Sequence, residues 1–137
     1  MSLFHRKPKE KFEIKRIDCT VAGVTFRNED GTSRQAALRD AFKDNYDKDD
    51  YELDDDRVNA GGADFEPYEY DGKPAMYVVF EGKTVGNIPA NMVDHVSKII
   101  NADDYYGNDM HIYDFVGDDG KKKYGATLEI MTKVKVE

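Results

Sequence analysis

The cleanest alternation in the chain lies near its C-terminus. Tyr124, Ala126, Leu128, Ile130, Val134 and Val136 share one parity, while Lys123, Glu129, Lys133 and Lys135 share the other. A period of two predicts a long strand with one buried face and one wet face. Residues 11–26 predict another long strand, but its parity changes. Phe12 and Ile14 occupy one face, and Ile17, Cys19, Val21 and Gly23 the other, with Val24 and Phe26 completing the run. A switch near Arg16 predicts a bulge or bend, the device by which small barrels turn corners. Residues 75–80 (AMYVVF) are dense in β-formers and predict a central strand. Glu81-Gly82-Lys83 then predicts a tight turn, and residues 84–88 the returning strand. Residues 110–116 predict a further strand, closed by a Gly117-Asp118-Asp119-Gly120 hairpin.

Two segments carry the helical period instead. Leu38, Ala41, Phe42 and Tyr46 form one stripe over 33–46, behind the turn Asn28-Glu29-Asp30-Gly31 and a Thr32 or Ser33 cap. Val93, Val96 and Ile100, flanked by Met92 and Ile99, predict a second helix over about 91–100 after Pro89. Between these elements, Tyr51 and Leu53 alternate with charges in the acidic stretch 47–56, which predicts a short edge strand. Residues 60–63, 66–74 and 101–109 read as loops, the second held by Pro67, Pro74 and an Asp71-Gly72 turn. The sum is a mainly β chain with two helices (α+β), about six strands in a small, OB-like, partly open barrel. Residues 1–10 read as a mobile basic arm and 11–137 as a single domain.

Composition narrows the function classes. The 137 residues are 39% hydrophobic and 35% charged, which suits one modest core under a charged surface. Cys19 is the sole cysteine, so no internal disulfide forms; it alternates with apolar residues and reads as a small buried hydrophobe. A cytoplasmic address is the simplest expectation. With His5, His95 and His111 scattered, no structural zinc site is expected, and no apolar run of about 18 residues predicts a membrane span. The net charge of −8 is uneven: residues 1–16 hold six basic and two acidic side chains, and residues 40–71 hold 13 acids against three bases. A protein gripping duplex DNA through many phosphates would be basic overall, so any nucleic-acid site here must be local.

The stretch 64–96, DFEPYEYDGKPAMYVVFEGKTVGNIPANMVDHV, combines a P-Y-acid loop, a β-branched strand after Ala75, and a G-x-x-V-G-x-I-P hairpin running into a helix. With the upstream Val21-Ala22-Gly23-Val24-Thr25-Phe26, this ordered set resembles the HIRAN family over roughly residues 17–101. The resemblance implies an OB-like barrel and a DNA-binding module acting at stalled forks or damaged ends, with a pocket for the 3′-OH end of single-stranded DNA. Many family members are fused to Swi/Snf-type ATPases; this chain is similar to a stand-alone bacterial or phage-type member. Residue by residue, the resemblance makes Phe26 the base-stacking aromatic, Tyr68 the loop tyrosine, Glu69 the acid beside it and Asn87 the polar hairpin residue. The chain departs from the family pattern at Thr25, at Pro89-Ala90 and at Glu66. Arg27 and Lys83 are the neighbouring cations.

Each feature also has a plainer reading. Phe26 and Tyr68 are either a stacking platform, at roughly 1–3 kcal/mol per base, or ordinary core and rim aromatics. Glu69 either accepts a hydrogen bond from a terminal hydroxyl or is a solvated loop acid. The run 47–56 lacks the glycine and spacing of a calcium loop and reads as a solvated edge. Lys121-Lys122-Lys123 and the arm 1–16 either meet phosphates or are solvated. His95 and His111 sit in no relay, and no nucleophile, base and metal set can be assembled, so no enzyme and no cofactor are expected. Two functions stay open: a module binding single-stranded nucleic acid, and an acidic subunit docking a basic partner, such as a separately encoded nuclease or ATPase, through 40–71.

Overall fold

The computed structural model describes residues 11–46 and 57–136. Among the described residues, seven strands form two antiparallel sheets. The larger holds β1 (Lys11–Thr20), β7 (Lys122–Val136), β6 (Tyr105–Val116) and the two-residue β2 (Val58–Asn59), in that order. The smaller holds β3 (Asp64–Tyr70), β4 (Lys73–Phe80) and β5 (Lys83–Asn87). Helix α1 (Arg34–Tyr46) packs against β5 and β7, and α2 (Val93–Ile100), entered through a short 3-10 turn at Ala90–Met92, packs on β4 and β6.

The core lies where the predicted parities converge. Leu128, Ile130 and Ala126 of β7 meet Met110 and Ile112 of β6 and Met76, Val78 and Val85 of the smaller sheet. Leu38 and Ala41 bring in α1, and Val93 and Val96 bring in α2. Ser33 caps α1, its hydroxyl accepting the Ala36 N–H at 3.1 Å. Cys19 is buried, and that burial raises its thiol pKa above the ordinary value.

Several expectations need correction. The sheets do not close into a barrel. At one seam the backbone pairing among the described residues is the single bridge Ala22↔Asn87, because the chain turns away at Gly23, which has φ +67°. At the other, backbone pairing gives out beyond Ala60 and Gly61. The Asn108 side chain takes over, accepting from the Ala63 N–H at 2.8 Å and donating to the Ala63 carbonyl at 3.0 Å. A side-chain amide satisfies that backbone but ends the ladder. The expected bulge near Arg16 is absent: β1 pairs with β7 in unbroken register from Lys11↔Val136 to Thr20↔Thr127. The parity change arises because the outer end of this ribbon runs past the core, so Phe12 on one face and Val134 and Val136 on the other are all partly exposed. The predicted loop at 66–74 is instead the β3–β4 hairpin, and Pro67 is tolerated because β3 is an edge strand. Much of the predicted loop 101–109 belongs to β6. The expected edge strand in 47–56 and the arm 1–10 lie outside the described residues. No described helix is long and apolar enough to cross a membrane.

Candidate functional site

The loop between β1 and α1 is built to hold its shape. The Asp30 carboxylate accepts from the Thr32 hydroxyl at 2.6 Å and the Thr32 N–H at 2.9 Å, and these bonds hold its pKa below the usual carboxylate value. Two successive residues at the start of α1 then pin the loop from either side. Gln35 bonds to Val24 and to both backbone groups of Tyr124. Arg34 reaches the other way: its Nε donates to Asn28 Oδ1 at 2.7 Å, and its Nη1 to the Gly23 carbonyl at 3.0 Å and Asn87 Oδ1 at 2.6 Å. A Cβ at Gly23 would lie 3.0 Å from Nη1 and 3.2 Å from the Phe26 ring, so space as well as positive φ calls for glycine there.

Asn87, at the end of β5, carries this network onward. Arginine can only donate, so the amide oxygen must face Arg34, which aims the Nδ2 group at Tyr68 Oη, 2.6 Å away. Tyr68 on β3 stacks on Tyr77 of β4 at 3.8 Å between ring centres and 7° between planes. Their register makes them diagonal neighbours on the sheet face turned away from the core. Burial, and next the neighbouring Tyr77 phenol, raise the Tyr68 pKa; the Asn87 amide and the Arg34 charge act in the opposite direction but do not win.

Over this floor opens a cleft of about 990 Å³. Phe26 and Tyr70 line it, and they are 66% and 72% exposed. Among the described residues, four cationic side chains line it (Arg27, Arg34, Lys73, Lys83) against three acidic ones (Glu29, Asp30, Asp71), a local balance unlike the acidic whole.

Five of the six residues singled out from the sequence therefore share one cleft: Phe26, Arg27, Tyr68, Lys83 and Asn87. Glu69 does not line it. In β3 it alternates with Tyr68 and Tyr70, so it is exposed on the other face, while Asp71 is the hairpin acid that reaches the cleft. Lys122 and Lys123 pair with Asp114 at 3.1 Å and Asp119 at 3.5 Å, away from the cleft. His111 lies 3.7 Å from Glu129 on the larger sheet.

Sequence reasoning missed Arg34, Tyr77 and Asn28. Tyr77 was hidden inside a run that predicts a core strand. Arg34 had one signal: a cation in the first turn of a helix opposes the helix dipole and is placed there at a cost of about 0.3–1 kcal/mol unless something else uses it. The residue is only 6% exposed and, among the described residues, forms no ion pair. No family model, curated protein or solved structure matches the chain.

Proposed function

We propose that the chain is a non-enzymatic nucleic-acid-binding module of the HIRAN type that holds single-stranded DNA in this cleft, in a repair or replication setting. The observation that carries the reading is the pair of exposed rings, Phe26 and Tyr70, facing one open cleft over a stacked tyrosine floor. Unstacked bases present π-faces that suit such rings, and each base–ring contact is worth about 1–3 kcal/mol. The nearly balanced charge of the cleft allows a strand to approach although the chain as a whole is acidic. The ordered motifs of residues 17–101 support the same reading.

Fluorescence anisotropy with a labelled single strand at low salt tests it. Wild type binds the single strand better than the duplex, and Phe26→Ala weakens binding by about 1–3 kcal/mol without lowering the melting temperature. Absence of binding, or an unaffected Phe26→Ala variant, overturns it. In that event, pull-down of a basic protein through the acidic stretch 40–71 becomes the reading to test.

A further inference from the structure

Arg34 poses an electrostatic problem that the fold solves only in part, through the Tyr77 ring whose centre lies 6.0 Å from the guanidinium carbon. Its side chain is buried, yet all three of its acceptors are neutral: two asparagine amide oxygens and a backbone carbonyl. A guanidinium removed from water is stabilised when an opposite charge meets it. Here no described carboxylate forms that pair. Asp30, which lines the same cleft, is engaged with Thr32 instead. The positive end of the α1 dipole adds to the uncompensated charge, because Arg34 is the first residue of that helix.

The geometry also shows where the missing anion belongs. Nε and Nη1 are committed, whereas Nη2 makes no hydrogen bond within the described residues. Among these residues no buried side-chain nitrogen or oxygen lacks a partner, so Nη2 keeps contact with solvent, and the open space that Arg34 lines is this cleft. Lys73 and Lys83 stand on the same cleft, exposed and outside any described ion pair.

We propose that Arg34 is the anion-binding centre of the cleft and takes a phosphate group of the bound strand on its free Nη2 edge. This rests on reading the cleft as a nucleic-acid site. It adds a definite chemistry to that reading: one phosphate, held by a fixed guanidinium, sets the position of the strand while Phe26 and Tyr70 hold its bases. Asn87 couples the two functions, because its amide oxygen meets Arg34 and its amide nitrogen meets Tyr68. Arg34 thereby locks the stacked floor in place before the strand arrives.

The decisive probe alters the ligand rather than the protein. Replacing each phosphate of a short single strand in turn by neutral methylphosphonate is expected to weaken binding by wild type on the order of tenfold or more at one linkage, with smaller losses elsewhere. Oligonucleotides ending in 5′-phosphate, 3′-phosphate or hydroxyl tell an end phosphate from an internal one: tenfold tighter binding of one phosphorylated end marks the monoester. Arg34→Gln is expected to be indifferent to the substitution that matters most to wild type. If that variant does not fold, the methylphosphonate scan on wild type still decides. Binding that changes by less than about twofold at every linkage and end overturns the role of Arg34 and leaves the nucleic-acid reading standing. If no oligonucleotide binds, the nucleic-acid reading falls. Thermal shift with inorganic phosphate then separates the two: stabilisation of wild type keeps the anion site, and no shift overturns that as well.

Discussion

On the outer face of the four-stranded sheet, aromatic rings have a cation or another ring against them. Phe12 lies under the Lys133 ammonium at 4.2 Å, and Tyr113 lies under Arg57 at 5.6 Å and beside Phe115 at 6.1 Å. The same face carries the Arg16–Glu129 ion pair at 2.7 Å. Around the three-stranded sheet the arrangement is reversed. Tyr68 and Tyr77 cover each other, but Phe26 and Tyr70 have neither a ring nor a cation over them among the described residues. Tyr106 and Val116 are exposed too, but not in this cleft, and scattered apolar side chains need no special account. The contrast teaches that one sheet pairs the rings of its outer face with cations and other rings, while the other leaves Phe26 and Tyr70 open beside a charge that has no counter-ion among the described residues.

The comparison predicts that stability and binding are separable, and the largest effect lies on the stability side. Leu128 of β7 is fully buried between the sheets, so Leu128→Ala should cost about 2–5 kcal/mol, read from denaturant unfolding. A loss under 1 kcal/mol would mean that the larger sheet is not the structural base. Breaking the outer-face ion pair with Arg16→Gln should cost only about 0.2–1 kcal/mol and leave oligonucleotide binding unchanged, because the Arg16 side chain is largely exposed. A clear loss of binding would place the nucleic-acid surface on the wrong sheet.

The smallest effect is confined to alkaline pH. The folded protein holds the Tyr68 proton more tightly than the unfolded chain does, since burial raises its pKa. The associated stability is therefore fully present below about pH 10 and is lost as pH climbs through the higher folded value. Tyrosinate absorbance, taken as wild type minus Tyr68→Phe, should show a midpoint above that of free tyrosine. A midpoint at or below it would mean that Tyr68 is not held in the stacked floor.

How much of this was legible in the sequence depended on whether a signal was local. The period of β7 and the stripes of both helices follow from spacing alone, and the buried positions agree: Leu128, Ile130, Leu38 and Val96. The turn chemistry of Asp71-Gly72 was also visible, but two prolines and a run of acids hid the strand that precedes it. Barrel closure was not legible, because it turns on a one-bridge contact at Ala22↔Asn87 and on a side chain, Asn108, standing in for backbone. Phe26, Tyr68 and Asn87 were found through an ordered motif, Lys83 as a cation within its hairpin and Arg27 as the cation directly after Phe26. Arg34 belongs to none of its pieces. Its role comes from partners at positions 23, 28 and 87, and only the fold brings those together.

The most direct measurement is an amide NMR titration with a short single-stranded oligonucleotide. Shifts should concentrate at Phe26, Arg34, Tyr68, Tyr70, Tyr77 and Asn87, while the Arg16–Glu129 face of the larger sheet stays silent. Shifts centred on that face, or none at saturating oligonucleotide, would contradict the assignment of binding to the aromatic cleft.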